Sequence, residues 1–504
     1  MALVTPPFAR RRARAAAPDP VPAVLSLGLD ATRLTAGLRP RRAQDRLDHS
    51  AHLTAHGPLP DPGEFGLHDL LALTERIALW ERGTAGSPFH RKLRAVMAAA
   101  RRSGLTTAVV VDAVEDDPSC RKDQVLLRRA PHLVLDGALL TAQVLGAQQV
   151  VIAVSHPAAA AAMKAAVTER QPRRRARGPE VRVTQSQERF PDGVGDAPLG
   201  GLDGVPTLRS NTETWAQLAV AARMGAARFG AIGQRDEPGT FLATVTAHAS
   251  GAKGPAQTVV EAPLGAPLAT LLERCGTDAG QGVLLGGYAG AFLTRRAADT
   301  ALMSRRGIEA AGAVFGAGSV TRVPEETCPL GEVARAAHWL AAERVSHCVP
   351  CFRGLSALAT ALDDVVHDGG APVRDRLREQ VAAVRGRPGC SHPDRSATFV
   401  LSALSTFSDD LAAHALGSGC GRRVWGALPL SNGPQAAQTA ERFTMDWTLC
   451  DGHALCADVV PELIRMEQDG YPVLSTTAVP PRLAARARLA VRRCPTLALR
   501  VERV

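Results

Sequence analysis

The stretch Thr106–Val114, "TTAVVVDAV", is followed by "APHLVLDGALLTAQVLGA" at 130–147 and "QQVVIAVS" at 148–155. The first and third segments are short, β-branched and continuously apolar, as strands covered on both faces are. The middle segment is longer and carries apolar residues at helical spacing, and "PAAAAAMKAAVTER" (157–170) repeats that signal. Strands alternating with helices of this length imply an α/β unit around a parallel sheet.

Working outward, "HDLLALTERIALWER" (68–82) reads as a helix leading into that unit, which we place at 61–205. Residues 206–300 hold a helix, "TETWAQLAVAARMGAARFGAIG", then the strand-like "GTFLATVTAHASG" and "GVLLGGYAGAFL", and read as a small mixed domain. Residues 325–414 are helical again. Residues 415–440, rich in Gly, Ser, Asn and Gln, read as a linker, and 441–504 as a last compact module. The expected fold class is multidomain, α/β and α+β, as 504 residues exceed what one core supports.

The net charge of +10 raises the question of nucleic acid. Residues 1–60 hold nine arginines against four aspartates, so half the excess sits in a Pro- and Ala-rich arm expected to be disordered. Aromatics make up 4% of the chain, which leaves no stacking platform for single strands. A solvated face, or a patch for an acidic redox partner, fits better; no nucleic-acid partner is expected. No apolar run reaches the roughly 18 residues of a membrane span. The basic N-terminus is broken by Pro18, Asp19, Pro20 and Pro22, so no export signal is read. A cytoplasmic location with reduced cysteines follows.

Ten cysteines then need another account. Cys120, Cys275, Cys328 and Cys420 have no partner at ligand spacing and read as buried small hydrophobes. "DWTLCDGHALCADVV" is different: Cys450 and Cys456 flank His453, and Cys494 returns in "RRCPTLAL". Several thiolates from one tight loop, joined by a distant Cys-Pro, are how iron–sulfur clusters are held. The competing reading, two buried cysteines and a surface histidine, leaves the Cys-Pro unexplained. A second set, Cys348 and Cys351 in "RVSHCVPCFRGL" with Cys390 in "GRPGCSHPD", is equally open to a redox dithiol or half a zinc site.

The last 64 residues closely resemble the small bacterial single-cluster ferredoxins, including those serving cytochromes P450. That resemblance implies a cluster on Cys450, Cys456 and Cys494, with [3Fe–4S] and histidine-ligated [4Fe–4S] both open at His453. Residues from about Leu70 to Phe407 resemble the NADH-binding flavoprotein subunit of respiratory complex I and its hydrogenase and formate dehydrogenase relatives. "ERGTAGSPFHRKL" (81–93) is similar to that family's Arg-Gly-Gly-Ala-Gly-Phe-Pro-Thr-Gly-x-Lys-Trp flavin loop, and "GVPTLRSNTETWAQLA" (204–219) to its Pro-Thr-Thr-Val-Asn-Asn-Val-Glu-Thr segment. The stretch from "GTFLATVTAHASG" to "LLGGYAGAF" resembles its soluble-ligand-binding β-grasp domain, and "CVPCFRGLSAL" its helical iron–sulfur domain.

The resemblance implies flavin contacts at Gly83, Ala85, Gly86, Lys92, Asp112, Glu115, Asp123 and Asn211. It implies a second cluster on Cys348, Cys351 and Cys390, the family's remaining cysteine falling at Val345. Departures accompany the matches. Thr84 replaces a glycine, Ser87 the nicotinamide-stacking phenylalanine, and Asp112 an asparagine. The segment "ERFPDGVGDAPLGGLDGVPTL" (188–208) lacks the Glu-Glu lid that closes over FMN and NADH. These changes lead us to expect weak FMN binding and slow or absent NADH oxidation. No catalytic side chain is singled out. The expected function is iron–sulfur electron transfer in the manner of the NADH dehydrogenase flavoprotein, with a redox protein partner such as a membrane reductase or cytochrome; the alternative is a relay or assembly subunit that has lost FMN and NADH.

Overall fold

The computed structural model describes residues 21–28, 30–39, 46–61, 63–83, 86–170, 178–186, 204–248, 256–343, 350–386, 391–431, 441–467, 469–474, 478–479 and 483–503. Two compact units divide at Leu430/Ser431.

The first unit begins with a four-stranded, all-parallel sheet in the order Glu180–Gln185, Gln149–Val154, Ala108–Ala113, Thr207–Asn211. The two central strands are almost wholly buried, whereas Glu180–Gln185 is an exposed edge. Helices Phe89–Ser103, Lys122–Arg129, Pro131–Val144, Pro157–Arg170 and Thr212–Phe229 flank it. Pro131–Val144 and Thr212–Phe229 meet at Gly137, where an added Cβ would lie 2.0 Å from the Trp215 carbonyl oxygen. Only glycine permits that approach.

A six-stranded mixed sheet follows, in the order Ala23–Ser26, Ala256–Pro263, Thr240–Ala247, Ser319–Val323, Gly282–Leu285, Ala291–Thr294. Its first strand corrects the expectation of a disordered arm over 1–60. Ala23–Ser26 pairs in parallel with Thr258–Glu261, and Asp48 caps the helix His49–His56 by accepting from the Ala51 N–H at 2.8 Å. The anchor is Glu261, which is fully buried. Its carboxylate accepts from the backbone N–H groups of Arg33, Leu34 and Thr35 and from the hydroxyls of Thr35 and Thr240. One buried charge thereby satisfies five donors and ties the arm to the sheet. The expected mixed domain at 206–300 also moves: Thr207–Asn211 joins the parallel sheet, and the mixed sheet runs on to Val323.

Helices Pro329–Ala342, Leu355–His367, Ala371–Val384, His392–Thr406 and Ser408–Ala415 form the helical domain. Tyr288 and Phe292 of the mixed sheet region pack against Trp339 and Phe399 of those helices, so the two share a core. Ala427 and Leu428 are fully buried, so the expected linker at 415–440 belongs in this part to the first unit. The second unit pairs Glu441–Met445 with Leu499–Arg503 and Ala478–Val479, adds a hairpin of Ile464–Met466 and Pro472–Leu474, and has its own core of Phe443, Val460, Ile464, Ala487, Ala490 and Leu499. Among the described residues no helix is long and apolar enough to cross a membrane.

A buried polar cluster under the His49–His56 helix makes the first unit acid-sensitive. Asp136 accepts from His52 at 2.7 Å and pairs with Arg170 and Arg223. His132 lies between Arg170, whose Nε donates to Nδ1 at 2.8 Å, and Glu169, 2.9 Å from Nε2. An Nδ1 that accepts from a guanidinium has no place for a proton, and burial first, then Arg170, lowers the His132 pKa to about 4. Burial and His52 lower that of His56 to about 3. Between about 6.5 and 4 the unfolded chain takes up protons that the folded chain refuses, so stability is expected to fall as pH drops through that window. Thermal melting of the chain at pH 7 and pH 5 checks it; a His132→Gln variant should show the shallower pH slope.

Candidate cofactor and cluster sites

The parallel sheet delivers Asp112 and Asn211 side by side, as register partners at the C-terminal ends of adjacent strands. In open α/β sheets that end is where ligands bind. Asn211 caps helix Thr212–Phe229 through Oδ1, accepting from the Thr214 N–H at 3.0 Å, while its Nδ2 faces Gly83. Asp112 Oδ2 accepts from Arg209 Nε at 3.0 Å and Nη2 at 2.7 Å.

The glycine loop lies against this end. Glu81, at its start, accepts from Lys92 Nζ at 2.8 Å, Ser210 Oγ at 2.9 Å and Ser87 Oγ at 3.2 Å. Gly86 has φ +38, and an added Cβ would come 2.6 Å from Arg305 Nη1. Arg305 donates to the Glu81 carbonyl at 2.7 Å and lies 4.8 Å from the centre of the Trp80 ring. A cavity of about 460 Å³ opens here, lined by Trp80, Glu237, Arg305, Arg306 and Phe315 among others. Gly83, Gly86, Lys92, Asp112 and Asn211 therefore belong to one region; Ala85 lies outside the described residues. Trp80, Arg305 and Glu237 went unread in the sequence, because "SRRGIEA" (304–310) carries no pattern distinguishing it from a surface helix.

Glu115 and Asp123 are placed differently. Glu115 accepts from the Asp123 and Gln124 N–H groups at 3.0 and 3.3 Å and so caps helix Lys122–Arg129. Asp123 pairs with Lys122 Nζ at 2.8 Å, and that ammonium also meets Glu213 at 3.1 Å. Each of these three side chains is less than a tenth exposed. Burial pushes the Asp123 carboxyl up, against the lowering pull of Lys122. Asp123 is thus held in a buried ion group rather than presented at the strand ends.

In the second unit Cys450, Cys456 and Cys494 come together. Burial, with Cys450 and Cys494 as added negative neighbours, raises the Cys456 thiol. Cys494 ends helix Ala484–Arg493. Burial raises its thiol, but the Thr496 hydroxyl and the N–H groups of Leu499, Ala498 and Thr496 outweigh that and lower it. Peptide N–H groups aimed at a sulfur favour the thiolate that metals bind and tune cluster potentials. His453 is exposed, one residue before Ala454 with φ 61. Of the second expected set only Cys351 is described, fully buried in the turn Pro350–Gly354; Cys348 and Cys390 lie outside the described residues.

The domain families agree with this layout. The Nuo51 FMN-binding domain family matches residues 75–219, the NADH-ubiquinone oxidoreductase-F iron–sulfur binding region matches 332–414, and the 4Fe–4S single cluster domain matches 443–501. The chain is a homologue of the F subunit of NADH-quinone oxidoreductase, with a ferredoxin domain at its C-terminus. The F subunit of Streptomyces coelicolor is 25% identical over 386 residues, covering 70% of this chain and 84% of the relative. That of Mycobacterium tuberculosis is 26% identical over 362 residues, covering 65% and 80%. An NAD+-reducing [NiFe]-hydrogenase in the H2-reduced state shares the fold, with TM-score 0.60 and 21% identity, covering 70% of this chain and 63% of the hydrogenase chain. An FMN-binding-type domain and two iron–sulfur-type domains are therefore present. The expectation of weak FMN binding, drawn from the altered loop at Thr84 and Ser87, finds no support in a family match that spans that loop.

Proposed function

We propose that the chain is an electron-transfer oxidoreductase that binds FMN in its first unit and carries an iron–sulfur cluster on Cys450, Cys456 and Cys494. The observation that carries this reading is the convergence of those three thiols, with Cys494 held toward its thiolate by N–H and hydroxyl donors. At the flavin end, Gly83 and Gly86 leave room where a Cβ would meet Asn211 or Arg305. Lys92 and Arg305 bring two cations to that loop, as a bound phosphate requires. Asp112 and Asn211, at the strand ends, are placed to hold the polar edge of the ring system. When bound, a flavin turns a two-electron hydride into single electrons of the kind iron–sulfur centres accept. Cys348, Cys351 and Cys390 are proposed to hold a second cluster, and the mixed sheet to be the soluble-ligand-binding β-grasp domain of the family.

The protein's own groups set the terms of that chemistry. Glu81 fixes Lys92 and Ser210 in place, so the cation beside the loop is already oriented before a phosphate arrives. The Glu-Glu lid of the family is missing from the sequence between 188 and 208, and water exclusion at the ring is correspondingly poorer. A redox protein is the proposed partner, since the NADH-quinone oxidoreductase relatives are named as subunits.

Two measurements test this. Anaerobically purified protein should contain flavin, iron and sulfide, and Lys92→Met should lower flavin retention by at least several-fold while leaving iron unchanged. NADH-dependent ferricyanide reduction should be slow, because a misplaced hydride costs on the order of a hundredfold. Brisk turnover with NADH would show that the lid is dispensable, and a flavin-free protein would leave the relay reading in its place.

A further inference from the structure

Outside these sites the first unit brings together three residues that lie far apart along the sequence. Cys328 caps helix Pro329–Ala342, its Sγ accepting from the Gly331 N–H at 3.3 Å. His414 lies on helix Ser408–Ala415, with Nε2 3.4 Å from Cys328 Sγ and Nδ1 3.0 Å from the Val366 carbonyl oxygen. Cys420 follows in a loop between Gly419 (φ 61) and Gly421 (φ 67), both in the left-handed region. The three ligand atoms all lie within 4.8 Å of one another. Cys328 and His414 are buried and Cys420 is half-buried.

We propose that Cys328, His414 and Cys420 form a mononuclear metal site that takes a zinc ion.

The geometry fits one ion. With Zn–S of about 2.3 Å and Zn–N of about 2.0–2.1 Å, tetrahedral ligands sit about 3.6 Å apart, close to the 3.4 Å between Cys328 Sγ and His414 Nε2. Thiolates of an iron–sulfur cluster bind separate irons and stand further apart. The imidazole is prepared for the role: a carbonyl can only accept, so Val366 fixes the proton on Nδ1 and leaves the Nε2 lone pair facing the sulfur. Two soft thiolates with one imidazole are a donor set that selects zinc over the harder divalent ions. The backbone holds the loop in register, because the Cys328 N–H donates to the Arg423 carbonyl at 2.9 Å and Thr327 and Arg423 form a bridge. Arg422, paired with Asp410, also bonds Cys420 and adds positive charge beside the thiolates. The fourth coordination place falls on the half-exposed Cys420 side, open to a water. Such an ion would fasten the C-terminal end of the helical domain to the start of helix Pro329–Ala342. The bland account is a trio joined by hydrogen bonds between thiols and imidazole, with no ion.

The test uses the full chain, purified anaerobically from zinc-supplemented cells, with zinc and iron measured together. Wild type should hold about one zinc, and both Cys420→Ser and His414→Gln should lose it while iron and sulfide stay unchanged. Cobalt offered to zinc-stripped wild type should give thiolate-to-metal charge-transfer absorption that Cys420→Ser abolishes. No zinc and no cobalt band in wild type, or a zinc content that Cys420→Ser leaves intact, would establish the hydrogen-bonded trio instead. Iron lost in step with zinc would assign these residues to a cluster and equally overturn the proposal. Cys420 is half-exposed in a glycine loop, and the cobalt arm reads wild type alone, so a misfolded His414 variant does not blunt the test.

Discussion

The Cys456→Ser variant is expected to emerge bleached in its C-terminal unit, with about three to four fewer irons per chain than wild type. The reason is local. Cys456 is the most buried of the three converging thiols, and a serine hydroxyl offers neither the softness nor the readily formed anion that iron requires. The unit has its own core around Phe443, Val460 and Leu499, so loss of iron need not entail loss of fold. Unchanged iron in this variant would refute the site. His453 decides the cluster type. We expect His453→Ala to leave the EPR signal unchanged, because an exposed imidazole is a weaker iron ligand than a thiolate. Conversion of a four-iron signal to a three-iron one would instead make His453 a ligand.

Lys122→Met is expected to destabilise the first unit by about 3–5 kcal/mol, the usual cost of leaving a buried charge without its partner. Thermal melting should register this as a fall in Tm on the order of 10 °C. Lys122 is nearly inaccessible, and its ammonium stands between Asp123 and Glu213. Removing it leaves two carboxylates facing each other out of water. Glu213 is also engaged by the Leu242 N–H at 3.0 Å, so the disturbance reaches the mixed sheet. Adding Asp123→Asn to Lys122→Met should recover part of the loss, since one of the two orphaned charges is then gone. A melting curve unchanged by Lys122→Met would mean that water reaches the group and screens it.

These two cases divide along the line between local and distant information. The ferredoxin loop was legible in the sequence because a cluster a few Å across needs ligands from one tight turn, and Cys450, His453 and Cys456 announce that turn by spacing alone. The parallel sheet was legible for a similar reason: "AVVVDA" and "QVVIAV" are buried on both faces and so are apolar at almost every position. Asp123 was misread because a motif position states which residue is present and not what surrounds it. Its carboxylate turns into an ion pair with its neighbour Lys122, which also meets Glu213 from a distant helix. The arm at 21–60 looked disordered because its composition is basic and proline-rich. What orders it is Glu261, more than two hundred residues away, whose buried carboxylate collects five donors.

The sequence by itself determined the α/β character of the first unit, the ferredoxin module and the thiols Cys450, Cys456 and Cys494, since each rests on a periodicity or spacing within a short segment. Only the tertiary structure decided that Arg305 closes on Gly86, that Ala23–Ser26 completes the mixed sheet, and that Cys328, His414 and Cys420 share one point in space. Those contacts join elements far apart along the chain. The free energy that forms them comes from burial of the cores between, which no spacing of the contacting residues records.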